Sequence, residues 1–352
     1  MQPKTKAITA AVTGSALGIA GLAVMALPAG AGEAPQLPPV SAEDLVQSVL
    51  TAPTPALEGT VKVDNKLGLP TLPGAGSNAL NLDSAQVYND GNGRSRLAVK
   101  QGSTEETVVH DGATVWTYNS GDNSATKITL PQDVKDKGIE EGTVTDPTTA
   151  ATTLLGKIRE SSTVSVEGTA RVADRPAYEL VLTPKPTERT LLREVRVTVD
   201  AEKRLPLRFA VLTNGTADPA LQIAFDDIDF AAQPADRFQF TPPQGAKVTE
   251  KQPQVDRKAA EEAQQNVKVV GDGWDTVLTG QIPAEALQPK QGKGGDVDPK
   301  ALIAQLGKPV SGAFGSGHVI TTKVGTALLT DDGRFAAGAV PEQVLIEALG
   351  SK

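Results

Sequence analysis

The sequence predicts an α+β protein built on a highly curved antiparallel sheet of about ten strands, followed by a small C-terminal α/β unit. Three observations lead to this prediction. Apolar and polar residues alternate over many short segments, Gly, Asn and Asp cluster between these segments, and helical spacing occurs in only a few places. With 352 residues, the chain is long enough for two domains.

The N-terminus has the pattern of an export signal. Lys4 and Lys6 precede a long uncharged apolar stretch, Pro28 ends it, and Ala29–Ala31 supplies the small residues that a signal peptidase reads. We expect residues 1–31 to be cleaved off, which leaves an exported protein of the cell envelope that is soluble. The alternative is an uncleaved N-terminal membrane anchor, because about 20 apolar residues can span a bilayer.

The mature chain begins with a helix and then changes to strand periodicity. A capping-box pattern at Ser41 predicts a short amphipathic helix over 41–51, and a second helical pattern covers 148–158. Apolar residues recur two apart before and after the second helix. The clearest alternation is Val195, Val197 and Val199 against polar neighbours, with Phe209 and Phe225 in the strands that follow.

One long connection is apolar where loops are normally polar. Residues 67–82, called the leucine loop below, contain five leucines among prolines and glycines: Leu67, Leu69, Leu72, Leu80 and Leu82. Long irregular connections are usually functional or disordered, and disordered segments avoid apolar residues. Two interpretations stay open, namely a plug over the end of the core and a mobile lid over an apolar cavity.

Several segments, in order, resemble strands of the bacterial lipoprotein-carrier family LolA and its RseB (MucB) relatives. Phe238-Gln239-Phe240-Thr241-Pro242-Pro243, preceded by Asp236, resembles the closing strand. Residues 168–180 resemble the RseB-type strand pair, Val197-Thr198-Val199-Asp200 with Leu205-Pro206-Leu207 resembles its hairpin, and 88–91 with 111–118 resemble two earlier strands. The resemblance covers about residues 41–250, and the Ala- and Gly-rich composition resembles the actinobacterial branch.

This resemblance implies that residues 32–250 form a half-barrel with helices across its mouth and an apolar cavity for acyl chains. The periodicity agrees, because the apolar face of the strands needs a cover, which the two helices and the leucine loop can provide. The predicted ligand-binding residues of cavity and lid are Leu67, Leu69, Leu72, Leu80, Leu82, Trp116, Val195, Val197, Val199, Phe209 and Phe225. Trp116 is equally compatible with a place in the core.

The C-terminal part has a different organisation. Residues 251–266 are polar and predict a linker. Residues 267–352 combine short strands with two short helices, and Pro341 stands in the first turn of the last helix. This unit is similar to the tail of actinobacterial members of the same family, and the sequence assigns it no function.

Composition excludes many kinds of chemistry. The absence of Cys excludes disulfides, thiolate metal sites, a cysteine nucleophile and a lipidated N-terminal Cys, and two histidines leave little room for a metal site. A net charge of −8 argues against a non-specific nucleic-acid binder. Ser316 and His318 have no visible acid partner, and Asp296 and Asp298 lack the Glu of a calcium loop. We therefore predict no catalytic residue, metal or cofactor.

Three functions remain after these exclusions. The favoured one is a non-enzymatic carrier that binds a lipid or an acylated lipoprotein in the half-barrel cavity. The second is a regulator that docks on the ectodomain of a membrane protein, such as an anti-sigma factor or a transporter, with the cavity as its lipid sensor. A hydrolase that uses Ser316 is a distant third.

Overall fold

The computed structural model describes residues 34–68, 82, 84–130, 147–251, 267–288, 290–292 and 295–350. In this part of the chain the α-helices are α1 (Ala42–Thr51), α2 (Pro147–Ser161), α3 (Pro299–Leu306) and α4 (Glu342–Gly350). The strands of the first part are β1 (Ala56–Asn65), β2 (Ser84–Asp90), β3 (Ser95–Gln101), β4 (Thr104–His110), β5 (Thr114–Asn119), β6 (Ser124–Thr129), β7 (Ser162–Val172), β8 (Arg175–Pro184), β9 (Leu192–Asp200), β10 (Pro206–Thr213), β11 (Leu221–Asp229) and β12 (Lys247–Lys251). Those of the second part are β13 (Val267–Val270), β14 (Val277–Gln281), β15 (Lys290–Gly292), β16 (Gly295–Val297), β17 (Lys308–Gly312), β18 (Gly315–Thr321), β19 (Thr326–Thr330) and β20 (Arg334–Gly338).

Twelve strands form one large sheet in the order β12-β6-β5-β4-β3-β2-β1-β11-β10-β9-β8-β7. The order is linear, so the sheet is open. It is also curved, because Val172 of β7 packs with Leu207 of β10 and Phe225 of β11, although β8 and β9 lie between them in the order. The predicted α+β class and the large curved antiparallel sheet are therefore confirmed.

One strand departs from the predicted antiparallel arrangement. β12 pairs in parallel with β6, from Lys247 beside Ser124 to Lys251 beside Ile128. A parallel neighbour requires a long crossing connection. Residues 230–246 provide it, since they run from the end of β11, next to β1, to the far edge of the sheet.

Both predicted helices of the first part are present. Ser41 caps α1, its hydroxyl accepting a hydrogen bond from the Asp44 N–H at 3.0 Å. Ala42 and Leu45 of α1 are buried in a cluster with Tyr178, Leu180 and Val199, so this helix lies over β8 and β9. The helix α2 is one turn longer than predicted and continues directly into β7.

The C-terminal part forms a second, six-stranded antiparallel sheet in the order β13-β14-β20-β19-β18-β17. The helix α4 covers one face, where Val344 and Leu345 join a buried cluster with Val277, Val319 and Leu328. Strands β15 and β16 form a separate two-stranded ladder. In the described part of the chain, no helix has the length and apolar character needed to cross a bilayer.

Candidate functional site

One face of the large sheet is apolar across its central strands. Cross-strand partners share a face of a sheet, and Val197 pairs with Phe209, Phe209 with Ile223, and Ile223 with Val63. Because side chains alternate along each strand, Val195, Val199 and Phe225 point to this same side. We call it the apolar face, and it brings together five of the residues predicted from the sequence.

The apolar face continues to the other half of the sheet. The cross-strand pairing from β1 to β6 places the following side chains on the same face: Val61, Ala85, Val87, Leu97, Val99, Val108, Val115 and Ile128. Glu106 and His110 of β4 are on the same side and interrupt its apolar character near the β4 strand ends. None of these residues was among those predicted to bind a ligand.

Only part of this face is covered by the described residues. At one side, α1 packs on Tyr178, Leu180 and Val199. Farther along, Phe209 is 38% exposed, and the large aliphatic side chains from β11 across to β6 are half-buried. Soluble proteins seldom leave large apolar patches open unless they bind something.

Phe225 is held at this face by close contact with the backbone of β1. An added Cβ at Gly59 would lie 3.0 Å from the Phe225 ring and 2.6 Å from the Asp227 carbonyl oxygen. The pairing of β1 with β11 also has a bulge between Thr60 and Val61. The missing side chain at Gly59 therefore leaves the space that the Phe225 ring occupies.

The structure places Trp116 on the opposite face from the five residues above. Trp116 alternates with Val115 and Thr117, and its ring lies 5.4 Å from that of Phe240. Tyr118 contacts the same Phe240 ring at 5.8 Å. The crossing segment 230–246 thus covers this side of β5, and the fully buried Phe238 anchors it.

Ion pairs occupy the opposite face of β8 to β10. Glu179 accepts hydrogen bonds from Arg196 at 2.8 Å and from Arg208 at 2.9 Å. Burial lowers the pKa of Arg196, but its bonds to Glu194 and Glu179 outweigh that effect, so its pKa is raised. The alternation of valines with charged residues in β9 therefore separates an apolar face from an ionic one.

The leucine loop begins at a fixed point. Leu67 is buried, its N–H donates to Oδ1 of Asn65 at 3.0 Å, and its carbonyl accepts from the Lys323 N–H at 2.9 Å. Leu82, next to β2, is half-buried. Leu69, Leu72 and Leu80 lie outside the described residues.

The other candidates have ordinary structural roles. Ser316 and His318 lie on β18 opposite Ser311 and Pro309. Asp298 caps α3 by accepting the N–H groups of Lys300 and Ala301. Among the described residues, no group of three or more His, Asp or Glu is arranged to hold a metal ion.

Comparison with known proteins gives the following matches. The family model of the MucB/RseB N-terminal domain matches residues 76–244, just under half of the chain. A chain in the structure of the Pseudomonas aeruginosa MucA/MucB complex is 16% identical, with a TM-score of 0.43, over 88% of this chain and 96% of that chain. An uncharacterised conserved protein from Thermus thermophilus is 15% identical, with a TM-score of 0.34, over 60% of this chain and 97% of that chain.

A LolA superfamily protein from Nitrosomonas europaea is 13% identical, with a TM-score of 0.24, over 57% of this chain and 99% of that chain. The search of curated proteins found no match. The matched residues 76–244 run from the leucine loop, through most of the large sheet, to the segment that carries Phe238 and Phe240. The chain therefore contains a segment, residues 76–244, that is similar to the MucB/RseB N-terminal domain.

Proposed function

We propose that this chain is an extracytoplasmic binding protein without enzymatic activity, which holds an acyl chain of a lipid or lipoprotein against the apolar face. The observation that carries this proposal is the row of large, half-buried apolar side chains from β10 across to β6, among which Phe209 is 38% exposed. Burying a methylene group is worth about 0.8 kcal/mol. A long acyl chain can therefore bind here without a polar anchor.

The first test is solvent extraction and mass spectrometry of residues 32–352, purified without detergent from the native envelope. Stoichiometric lipid or acylated peptide is the expected result. A protein that carries nothing and also fails to take up a fluorescent fatty acid would refute the proposal.

A pair of matched variants locates the site. Phe209→Asp introduces a charge on the apolar face and should lower fatty-acid affinity at least tenfold, because the carboxylate would lose water on binding. Leu278→Asp is the control, since Leu278 is similarly exposed, at 44%, on the second sheet. Titration of both variants with a fluorescent fatty acid checks this, and equal affinities would place the ligand elsewhere.

The match to the MucB/RseB domain supports a second candidate, a regulator that binds the ectodomain of a membrane protein. The MucA/MucB structure is a complex of MucB with MucA. By analogy, the partner here would be an anti-sigma factor or another envelope protein, with acyl-chain binding as the signal. Cross-linking in the native envelope, followed by mass spectrometry, distinguishes the two functions. A regulator should be cross-linked to the ectodomain of a membrane protein, and a carrier mainly to lipoproteins.

A further inference from the structure

The second sheet meets the large sheet along one end of its strands. The Leu191 N–H and the Thr190 hydroxyl both donate to the Ala339 carbonyl, at 2.9 and 2.7 Å. At the end of β1, the Lys323 N–H donates to the Leu67 carbonyl at 2.9 Å. β1 ends and β9 begins at the same end of this antiparallel sheet, so the C-terminal unit spans that end.

Trp274 contacts the large sheet at this same end of its strands. Its indole N–H donates to the Ser162 hydroxyl at 2.7 Å, and its backbone N–H donates to a Glu188 carboxylate oxygen at 2.8 Å. The preceding Gly273 leaves no room for a side chain, since an added Cβ would clash with Glu188 and lie 2.8 Å from the Ser161 Cβ. Because the indole N–H is already bonded, the rest of the ring presents only carbon.

A depression of about 490 Å³, widely open to solvent and called the junction cavity below, lies at this junction. The large sheet and α2 contribute Ile158, Ser162, Leu182 and Leu192, and the C-terminal unit contributes Trp274 and Ala339 among others. Lys157 and Asp272 are the charged residues among its described walls, and both are exposed. The volume lies within the range of small-ligand sites, and the larger part of the exposed wall is apolar.

The cavity adjoins the apolar face. Val164 pairs with Leu182, Leu182 with Val195, and Val195 with Val211, so Leu182 stands in a row of the apolar face. Leu182 also packs against the cluster under α1. An acyl chain that lies across Val211 and Val195 would reach Leu182 and the Trp274 ring at its end.

We propose that the junction cavity receives the methyl end of the acyl chain held on the apolar face, with Trp274 as the wall that this end contacts. This inference rests on the proposed function and names the subsite for one part of the ligand. The exposed Lys157 and Asp272 offset each other in charge, so the rim offers no net attraction for an anionic headgroup. A methylene that becomes fully buried there should strengthen binding about fourfold.

The chain contains two tryptophans, Trp116 and Trp274, and this permits a direct test. The variant Trp116→Phe reports on Trp274 alone, and Trp274→Phe reports on Trp116, whose ring lies on the opposite face against Phe240. The probes are stearic acids dibrominated near the carboxyl group or near the methyl end, since bromine quenches indole emission on contact. Calorimetry with the same acids measures binding independently, and far-ultraviolet circular dichroism confirms the fold of each variant.

We expect the acid brominated near its methyl end to quench Trp274 at least twice as strongly as the acid brominated near its carboxyl group, and neither acid to quench Trp116. Calorimetric binding without quenching of Trp274 would overturn the subsite but leave the proposed function intact. Stronger quenching by the carboxyl-end bromines would overturn the assigned orientation. If calorimetry detects no binding of either acid, the proposed function fails together with this inference. Should Trp274→Phe fail to fold, Trp116→Phe and the unaltered protein still decide the question.

Discussion

Asp200 shows how a single carboxylate fixes the turn that follows a strand of the apolar face. Its side chain is fully buried and accepts hydrogen bonds from the Arg175 guanidinium at 2.7 and 3.1 Å. It also accepts the N–H groups of Glu202 and Lys203, at 2.9 and 2.6 Å. Burial raises the pKa of Asp200, but these hydrogen bonds outweigh that effect and hold its pKa below the ordinary value.

The sign of the pH dependence follows from this lowered pKa. A carboxyl group with a lowered pKa in the folded state contributes its stabilisation above its unfolded pKa, about 3.9 for Asp, and loses it as the pH falls through the folded pKa. Asp200→Asn should therefore cost about 2–3 kcal/mol at pH 7, because Arg175 loses its buried counter-ion and keeps only the exposed Glu202 at 3.3 Å. Urea unfolding across the acid range measures this, and the variant should lose less stability than the parent as the pH falls.

The matched control is Asp226→Asn. Asp226 forms an exposed ion pair with Lys62, in which both side chains are at least half exposed. Surface substitutions of this kind change stability by about 0.5 kcal/mol or less. Equal unfolding midpoints for the Asp200 and Asp226 variants would contradict the role given to the Arg175–Asp200 pair.

At the scale of the elements, the sequence correctly predicted the features that depend on residues near one another in the chain. Ser41 caps α1, and the valines of β9 lie on one face as their spacing indicates. Trp116 shows the limit of this reasoning. Its face depends on the register of every strand between β9 and β5, and a one-residue slip in any of them would reverse it.

The strand β12 was missed for a related reason. Lys247–Lys251 is exposed throughout and has no buried face to impose an apolar alternation. Its parallel pairing with β6 is set by the path of residues 230–246, which Phe238 and Phe240 anchor. Such long-range anchoring leaves no periodic signal within the strand itself.

The leucine loop allows an element-scale prediction that separates its two interpretations. Replacing Leu69 and Leu72 by Asp should lower fatty-acid affinity at least tenfold and leave the unfolding midpoint in urea within the range of surface substitutions, because a lid contributes little to the core. Leu67→Asp is the contrasting variant. Because Leu67 is buried, an aspartate in its place should destabilise the fold. If the double variant unfolds as readily as Leu67→Asp, the loop is a plug and not a lid.

At the scale of the whole molecule, the contact between the two sheets could not be predicted from sequence patterns. The linker and the small C-terminal α/β unit were predicted from composition and periodicity. Where this unit lies depends on backbone groups, such as the Leu191 N–H and the Ala339 carbonyl, which every residue type has. Arg189 and Glu347 add a bidentate ion pair across the junction, at 2.6 and 3.0 Å, but both side chains are about half exposed.

A substitution at Gly273 tests whether this contact makes the two sheets unfold as one cooperative unit. A valine there has to displace Glu188 and Ser161, which overpacks the junction at a cost of about 1–3 kcal/mol. We expect Gly273→Val to replace a single calorimetric unfolding transition by two, and to shift the emission of Trp274 to the red as its ring enters water. Gly156→Ala is the control, because nothing lies within 4 Å of an added Cβ on α2, and removing a helical glycine should stabilise by about 0.5–1 kcal/mol. A single transition at the parent temperature in Gly273→Val would mean that the junction tolerates the added side chain, and that other contacts, such as Leu191 with Ala339, hold the sheets together.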